Sequence, residues 1–509
     1  MNPLQKRAFQ AAYFLARNYD VNQTKANPTP YSSKASDYRN TLILTGEAGS
    51  GKSFVIHALT RAIGRKHVRL CAFAAKAAKG IGGQTLHSLF HILPETKYAP
   101  LKGAALKCLQ EDMKETLLIV IDEFSQLDAL LLKTIDSRCR EANPKFRKYP
   151  FGGYPVVLAG DCAQITCPVG DPLWVKYTGK SATRLQRLAG YALYRDIKFV
   201  VNLEGSSRLD NSAPHYEVFK EILQQMNKDG CLKEEQAKFL LEQCNPVTLL
   251  RNLGESMFNE RFCNSETQEY HHRNDGRQEN NYKHVSKMVE NNPQENIVFQ
   301  VKRKKIGPGQ VESDIIENNF MACVNARVAY TTNLNTHIGI LNGAMGTIKD
   351  FVWNTGEHPE NDLPKAIVVE FDDYTGPPFF TESERRRWVP LTPRVSEAKS
   401  KNNMTRYQGV ALTLASSFTC HKAQGITNKV GAIVDLGSEE ICAGTTYVAL
   451  SRTMALQRLC IVGNPVTSRL TEPHADVRAR KAEQTRLRKC ADEYNKKFPV
   501  LLLQIEDNE

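Results

Sequence analysis

Residues 41–53 constrain the chain more than any other stretch. A short apolar run at 41–45 leads directly into Gly46-Glu47-Ala48-Gly49-Ser50-Gly51-Lys52-Ser53, and a helical pattern follows over 54–63. A strand that turns through glycines into a helix brings backbone N–H groups close to an anion, and the helix N-terminus adds positive potential there. This is a phosphate-binding loop in the context such loops require. Gly46, Gly49, Ser50 and Gly51 form the cradle. Lys52 is placed to reach the β- and γ-phosphates of ATP, and Ser53 to ligate Mg²⁺.

A loop of this kind belongs to a parallel sheet, and the rest of the chain supplies one. Apolar, mostly β-branched runs recur at 69–73, 117–121, 156–159, 198–203, 432–436 and 458–462. Most are continuous rather than alternating, as in parallel strands buried on both faces. Helical stretches such as 54–63 and 126–135 lie between them, the α/β pattern. The run at 117–121 ends in Asp122-Glu123. Downstream of a phosphate loop, Asp122 is expected to hold Mg²⁺ and Glu123 to orient and deprotonate the attacking water.

The chain has 509 residues and a formal net charge of +12. That length suits two to four domains, and a basic balance favours a polyanionic partner. Of the thirteen cysteines none forms a Cys-x-x-Cys pair, so neither a zinc site nor a disulfide framework is expected and the compartment reads as intracellular. No apolar run is long enough to span a membrane, and the start of the chain lacks a signal-peptide core.

Further motifs narrow the class. Gly160-Asp161-Cys162-Ala163-Gln164 resembles the Gly-Asp-x-x-Gln motif of superfamily 1 helicases. Residues 75–90, with Gly83-Gln84-Thr85-Leu86-His87-Ser88, resemble the first DNA-contacting motifs of the petite-integration-frequency helicases, relatives of RecD. Thr419-Cys420-His421-Lys422-Ala423-Gln424-Gly425 resembles the motif V of that family, Tyr447-Val448-Ala449-Leu450-Ser451-Arg452 its motif VI, and Asn2-Pro3-Leu4-Gln5 its Q motif. These matches occur in the family's order from Gln5 to Arg452.

The resemblance implies roles. Gln5 would read adenine, Gln164 would sense the γ-phosphate, and Arg452 and Arg208 would act on the same phosphate from the second lobe. Gln424 and Gly425 would line the cleft. Thr85, His87, Ser88, His421 and Lys422 would lie along a strand-binding groove, although a hydrogen-bonded structural role for His87 and His421 is the plainer alternative. Arg208 is followed by Leu209 where the family often has Gln, and three residues separate Gln164 from Pro168; both departures bear on coupling more than on hydrolysis.

The expected architecture is α/β: two RecA-like P-loop NTPase lobes with a small β-barrel insertion in the second lobe. The first lobe would span 1–197, with a small insertion near 93–114. The second would span 198–342 and 409–470 around the barrel at 343–408, with a solvated basic tail at 471–509. Because the Q-like motif opens the chain, no domain is expected ahead of it. Residues 252–310 read as polar, with breaks at Asn291-Asn292-Pro293 and Gly307-Pro308-Gly309. Trp353 reads as core, and the runs Lys302-Arg303-Lys304-Lys305 and Arg385-Arg386-Arg387 as solvated faces.

The implied function is ATP-driven unwinding of DNA, 5′ to 3′, on single-stranded and forked DNA, by a monomer, with ATP and Mg²⁺. An RNA helicase of superfamily 1, a translocase that does not unwind, and a non-hydrolysing DNA-binding scaffold remain as alternatives. The location would be nuclear if the source is eukaryotic.

Overall fold

The computed structural model describes residues 1–23, 40–93, 98–167, 170–263, 267–291, 299–302, 304–305, 319–335, 338–354, 363–400, 403–424, 427–463 and 465–498. Gly307-Pro308-Gly309 and Gly425 lie outside them.

The first lobe is built on a six-stranded sheet of order β3-β2-β4-β5-β1-β6, with β1 at Thr41–Gly46, β2 at Val68–Ala72, β3 at Gln84–Thr85, β4 at Leu118–Asp122, β5 at Val156–Gly160 and β6 at Phe199–Leu203. Every pairing in it is parallel. Successive side chains of a strand enter opposite faces, and here both faces are core. Ile43, Ile119, Ile121, Val156 and Leu158 enter one hydrophobic cluster, while Leu42, Leu44, Leu118, Val120 and Val157 enter another. The continuous apolar runs reflect this double burial. β6 hydrogen-bonds to β1, with Leu42 opposite Phe199, so 199–203 belongs to the first sheet, past the 197/198 boundary expected from sequence.

The second lobe has a four-stranded parallel sheet. Its central strand is β7, Gln268–His271, flanked by Ser417–Thr419 and by Ala432–Asp435, which pairs in turn with Leu459–Val462. β7 falls within the stretch read as merely polar. Only Tyr270 of its four residues is fully buried among apolar groups, which leaves little hydrophobic signal to read.

In place of the barrel expected at 343–408, the described residues form two antiparallel sheets, a three-stranded one of Arg394–Ser400, Asn403–Gly409 and Lys304–Lys305 and an open five-stranded one. It runs Trp388–Leu391, Ala366–Phe371, Met345–Val352, Arg327–Tyr330, Leu412–Leu414. The unit therefore begins before 343 and ends after 408. A bulge at Lys349 interrupts the register between Met345–Val352 and Ala366–Phe371, which adds local twist. Trp353 is partly buried against this sheet's core. Lys79 of the first lobe reaches Asp373 beside it at 3.5 Å. Arg385 and Arg387 are exposed but paired, with Glu382 at 3.5 Å and Glu370 at 3.0 Å.

The tail is not a solvated helix. Val477–Lys497 is helical, but Leu487 and Ala491 enter one first-lobe core and Tyr494 the other. Arg480, Lys481 and Arg486 are held by carbonyls or acids, while Arg478, Arg488 and Lys489 are exposed; Glu483 is 1% exposed and pairs with Arg486 at 2.6 Å and with Arg195 of the first lobe at 2.8 Å. No helix among the described residues is long and apolar enough to cross a membrane.

Candidate nucleotide site

The phosphate loop is shaped by two glycines in the left-handed region, Gly49 at φ 84° and Gly51 at φ 90°. A Cβ on Gly49 would stand 2.4 Å from Ser206 Oγ, and one on Gly51 would stand 2.3 Å from Gln5 Nε2. Neither position admits a side chain. Ser207 clasps the loop by donating both its N–H and its hydroxyl to Gly49 O, each at 2.9 Å. Lys52, at the start of helix Lys52–Ile63, folds back on the loop and donates to Gly46 O at 2.7 Å and Glu47 O at 3.0 Å.

Gln5 uses both ends of its amide. Asn2 caps the first helix, Pro3–Gln23, by accepting Gln5 N at 2.8 Å, while Gln5 Oε1 accepts Asn2 N at 3.0 Å, a reciprocal capping box. Gln5 Nε2 donates to Ser50 O at 3.1 Å. The glutamine thus ties the first helix to the phosphate loop.

β4 delivers Asp122 and Glu123 to the same cleft. Glu123 takes φ 53°, a strained conformation for a non-glycine residue, on the order of 1–3 kcal/mol. Gln424 donates to Glu123 Oε2 at 3.3 Å and accepts Gln126 Nε2 at 2.7 Å. Burial raises both acids above their ordinary values. The neighbouring Glu123 charge raises Asp122 further, and Lys52 pulls both back. The buried Asp122 and half-buried Glu123 carboxylates, lining one cleft with Ser53, form a hard oxygen donor set that suits Mg²⁺.

The opposite wall carries cations. Arg452 is 1% exposed and donates to Val448 O at 2.8 Å and to Ser451 Oγ at 2.8 Å. Arg208 donates to Ser451 O at 2.7 Å. Burial, and then the Arg452 charge, depress the Arg208 guanidinium to about 10. Gln164 is 4% exposed, and its Oε1 has no hydrogen-bond partner among the described residues. Lys52, Ser53, Asp122, Glu123, Gln164, Arg208 and Arg452 all line one cleft of about 470 Å³. Lys76 and Lys429 also line it; Lys76 lies within the 75–90 motif read as DNA-contacting, and Lys429 lies in no motif.

The residues expected along a strand-binding groove fall in two places. Thr85 caps the short helix Leu86–Leu89 by accepting Ser88 N at 3.2 Å, Ser88 donates to Gln84 Oε1 at 3.1 Å, and His87 packs edge-on against Phe73. His421 and Lys422 sit in the turn Cys420–Ala423. His421 lines a second cleft of about 770 Å³ with Thr419, His272, Arg273 and His474. Away from both clefts, His91, Cys108 and Asp112 offer ligand atoms within 4.8 Å of one another; an exposed His91–Asp112 ion pair at 3.4 Å accounts for that grouping.

A phosphate loop and an acidic pair on one parallel α/β lobe, joined in one cleft by Arg452 of the second lobe and by Arg208 of the segment between the lobes, make a two-lobed P-loop NTPase. Residues 20–238 match the family described as PIF1-like helicase. The chain is 25% identical over 458 residues to an ATP-dependent DNA helicase Pif1 of Bdellovibrio bacteriovorus, covering 85% of this chain and 86% of that one. It is 24% identical to the ATP-dependent DNA helicase PIF7 of Trypanosoma brucei brucei, of which it spans 44%. A solved Pif1 helicase from Bacteroides, in complex with ADP-AlF3 and ssDNA, shares the fold at a TM-score of 0.61 and 21% identity, covering 88% of this chain and 94% of that one. The family match lies in the first half of the chain, and the likeness to the Bdellovibrio helicase extends over most of it.

Proposed function

We propose that the chain is an ATP-dependent DNA helicase that moves 5′ to 3′ on single-stranded DNA and unwinds the duplex ahead of it. The observation that carries this reading is the single cleft in which Lys52, Asp122 and Glu123 of one lobe face Arg208 and Arg452. Buried cations from across a seam act on transferring phosphoryl charge only when the lobes close. Closure thereby becomes dependent on nucleotide state. A lobe whose grip on the strand changes with closure advances along it.

In this reading Lys52 binds the β- and γ-phosphates. Glu123 orients and deprotonates the attacking water, and Gln164 Oε1, an acceptor without a partner among the described residues, holds that water in line. Ser53 and Asp122 would hold Mg²⁺, which when bound neutralises phosphate charge. To read adenine, Gln5 would exchange its contact with Asn2 or Ser50 for the base. Thr85, His87 and Ser88 on one lobe and His421 and Lys422 on the other would track the strand, and fork DNA would be split at the lobe edge. Both walls of the cleft come from one chain, which supports a monomer as the working unit. Nuclear action would follow if the source is eukaryotic. Relatives named as DNA helicases, and a fold neighbour solved with ssDNA, support DNA as the substrate.

The test is ATP hydrolysis with and without single-stranded DNA, with single-stranded RNA as comparator. Stimulation by DNA above RNA is expected, together with loss of hydrolysis in Lys52→Ala while that variant still binds the strand. Stimulation by RNA alone would replace the substrate, and undiminished hydrolysis in Lys52→Ala would remove the phosphate-loop assignment.

A further inference from the structure

The C-terminal helix buries a cation at the seam between the lobes. From Glu483 onward this helix is fixed to the first lobe: Glu483 accepts the Tyr194 hydroxyl at 2.8 Å, and Tyr494 lies 4.6 Å from Phe199, centroid to centroid. One turn earlier Arg480, 2% exposed, points elsewhere. Its guanidinium donates to Ala163 O in the first lobe, and to Met226 O and Asn227 O in the second, each at 3.4 Å. Ala163 is the residue before Gln164. Met226 and Asn227 lie in the last turn of helix Tyr216–Asp229, where carbonyls carry partial negative charge.

The charged groups around Arg480 are few. Asp161 is the foremost acid and Glu440 the next. Asp161 Oδ2 accepts Asn227 Nδ2 at 3.0 Å and the Tyr447 hydroxyl at 3.3 Å, and that hydroxyl accepts the N–H of Ala48 in the phosphate loop at 3.1 Å. Gly230, at φ 70°, makes room: a Cβ there would stand 2.8 Å from Arg480 Nη2 and 2.7 Å from Val477 Cγ2. A buried guanidinium whose acceptors belong to two lobes is satisfied by neither alone. When the lobes part it loses one set, and an unpaired buried charge is costly. Such a joint favours two discrete arrangements over a continuum.

We propose that Arg480 is a positioning residue that couples the Gly160–Gln164 loop to helix Tyr216–Asp229, so that the C-terminal helix ties nucleotide state to lobe closure. It acts through Ala163 and Asp161 and touches neither nucleotide nor strand. The inference rests on the cleft being an ATPase site whose turnover a strand stimulates.

The experiment compares wild type with Arg480→Met and Arg480→Lys in the full chain. It reads steady-state ATP hydrolysis with and without oligodeoxythymidylate, and hydrogen–deuterium exchange with and without ADP and aluminium fluoride. Arg480→Met is expected to keep the KM for ATP within about twofold and to lower the DNA-stimulated kcat by about tenfold, inside the 5–150-fold range of typical coupling. The nucleotide analogue should still protect 46–53 in that variant but no longer protect 216–230, and Arg480→Lys should restore part of both. Should Arg480→Met fail to fold, Gly230→Ala displaces the guanidinium without removing its charge and is expected to lower the stimulated kcat in the same way. Wild-type stimulation and exchange in these variants would overturn the proposal, as would loss of protection at 46–53 together with 216–230. A wild-type enzyme that no strand stimulates would instead refute the helicase reading, since no variant is needed to see it.

Discussion

Two guanidiniums share the wall of one cleft, where burial first and the Arg452 charge second depress Arg208. Such a pair gains most from a multiply charged anion, and most of all as charge spreads in a transition state. Arg452→Ala and Arg208→Ala are each expected to lower kcat by about 10²–10³, with a smaller change in nucleotide affinity measured by a fluorescent analogue. A loss confined to affinity would contradict their place on the phosphate. Glu123→Gln should bind nucleotide yet turn over on the order of 10²–10⁴ more slowly. Burial raises the Glu123 carboxyl, Lys52 and Arg452 pull it back, and Asp161 raises it again, leaving it above its ordinary value. The ionised form is the base, so hydrolysis is lost as pH falls through that raised value. The acid limb of kcat against pH should therefore lie above the ordinary glutamate value; a limb at or below that value would contradict this. Lys52, Asp122 and Gln164 are legible in sequence because each sits at a fixed place in a strand-and-turn motif. Arg480 and Tyr447 are not legible as partners of Asp161, since their meeting depends on how a distant helix returns to the seam.

Among the elements, strand β7 shows where sequence reading runs out. The apolar strands announce themselves because both faces are buried among aliphatic side chains. β7 fills the centre of the second sheet with Gln268, Glu269, Tyr270 and His271, whose side chains meet polar and charged neighbours. His271 lies 3.4 Å from Asp435 and 3.8 Å from Glu269, and His284 lies 2.8 Å from Glu269. Burial pushes Glu269 up, but His271 and His284 more than reverse this and hold it at about 2. Burial pushes His271 down, but Asp435 and Glu269 bring it up to about 9. The histidine's contribution to stability is complete below its unfolded value near 6.5 and is lost as pH rises through about 9. The glutamate's is complete above its unfolded value near 4.5 and is lost as pH falls through about 2. Melting temperature against pH should thus fall on the alkaline side between 6.5 and 9, and His271→Gln should flatten that fall. An unchanged alkaline slope in the variant would remove the buried pair from the account. The C-terminal helix is the second misread element, because the count of its arginines and lysines hides its apolar stripe. Leu487→Ala is expected to cost about 2–5 kcal/mol by chemical denaturation. A cost within about 0.5 kcal/mol would mean that the stripe is a surface after all.

At the scale of the whole molecule, two parallel sheets face each other across the nucleotide cleft. The segment 204–210 and the C-terminal helix both cross between them. The order of the motifs makes the two-lobed plan legible, because each motif ends a strand or opens a helix of one lobe. The open antiparallel sheet is less so, since its strands at 327–330 and 412–414 lie outside the β-rich stretch. Strand binding should weaken steeply with salt, with a slope of roughly −0.7 in log K against log salt for each phosphate contacted; a flat dependence, measured by fluorescence anisotropy, would leave the +12 charge without a part in binding. In the proposed function, nucleotide-driven lobe closure moves the chain along a DNA strand in one direction. Its most direct test is displacement of a labelled oligonucleotide from duplexes with a 5′ tail, a 3′ tail or a fork, with ATP and with a non-hydrolysable analogue. The expected result is ATP-dependent displacement from the 5′-tailed and forked duplexes and none from the 3′-tailed duplex. Displacement from 3′ tails alone would reverse the direction, and no ATP-dependent displacement from any substrate would contradict the helicase assignment itself.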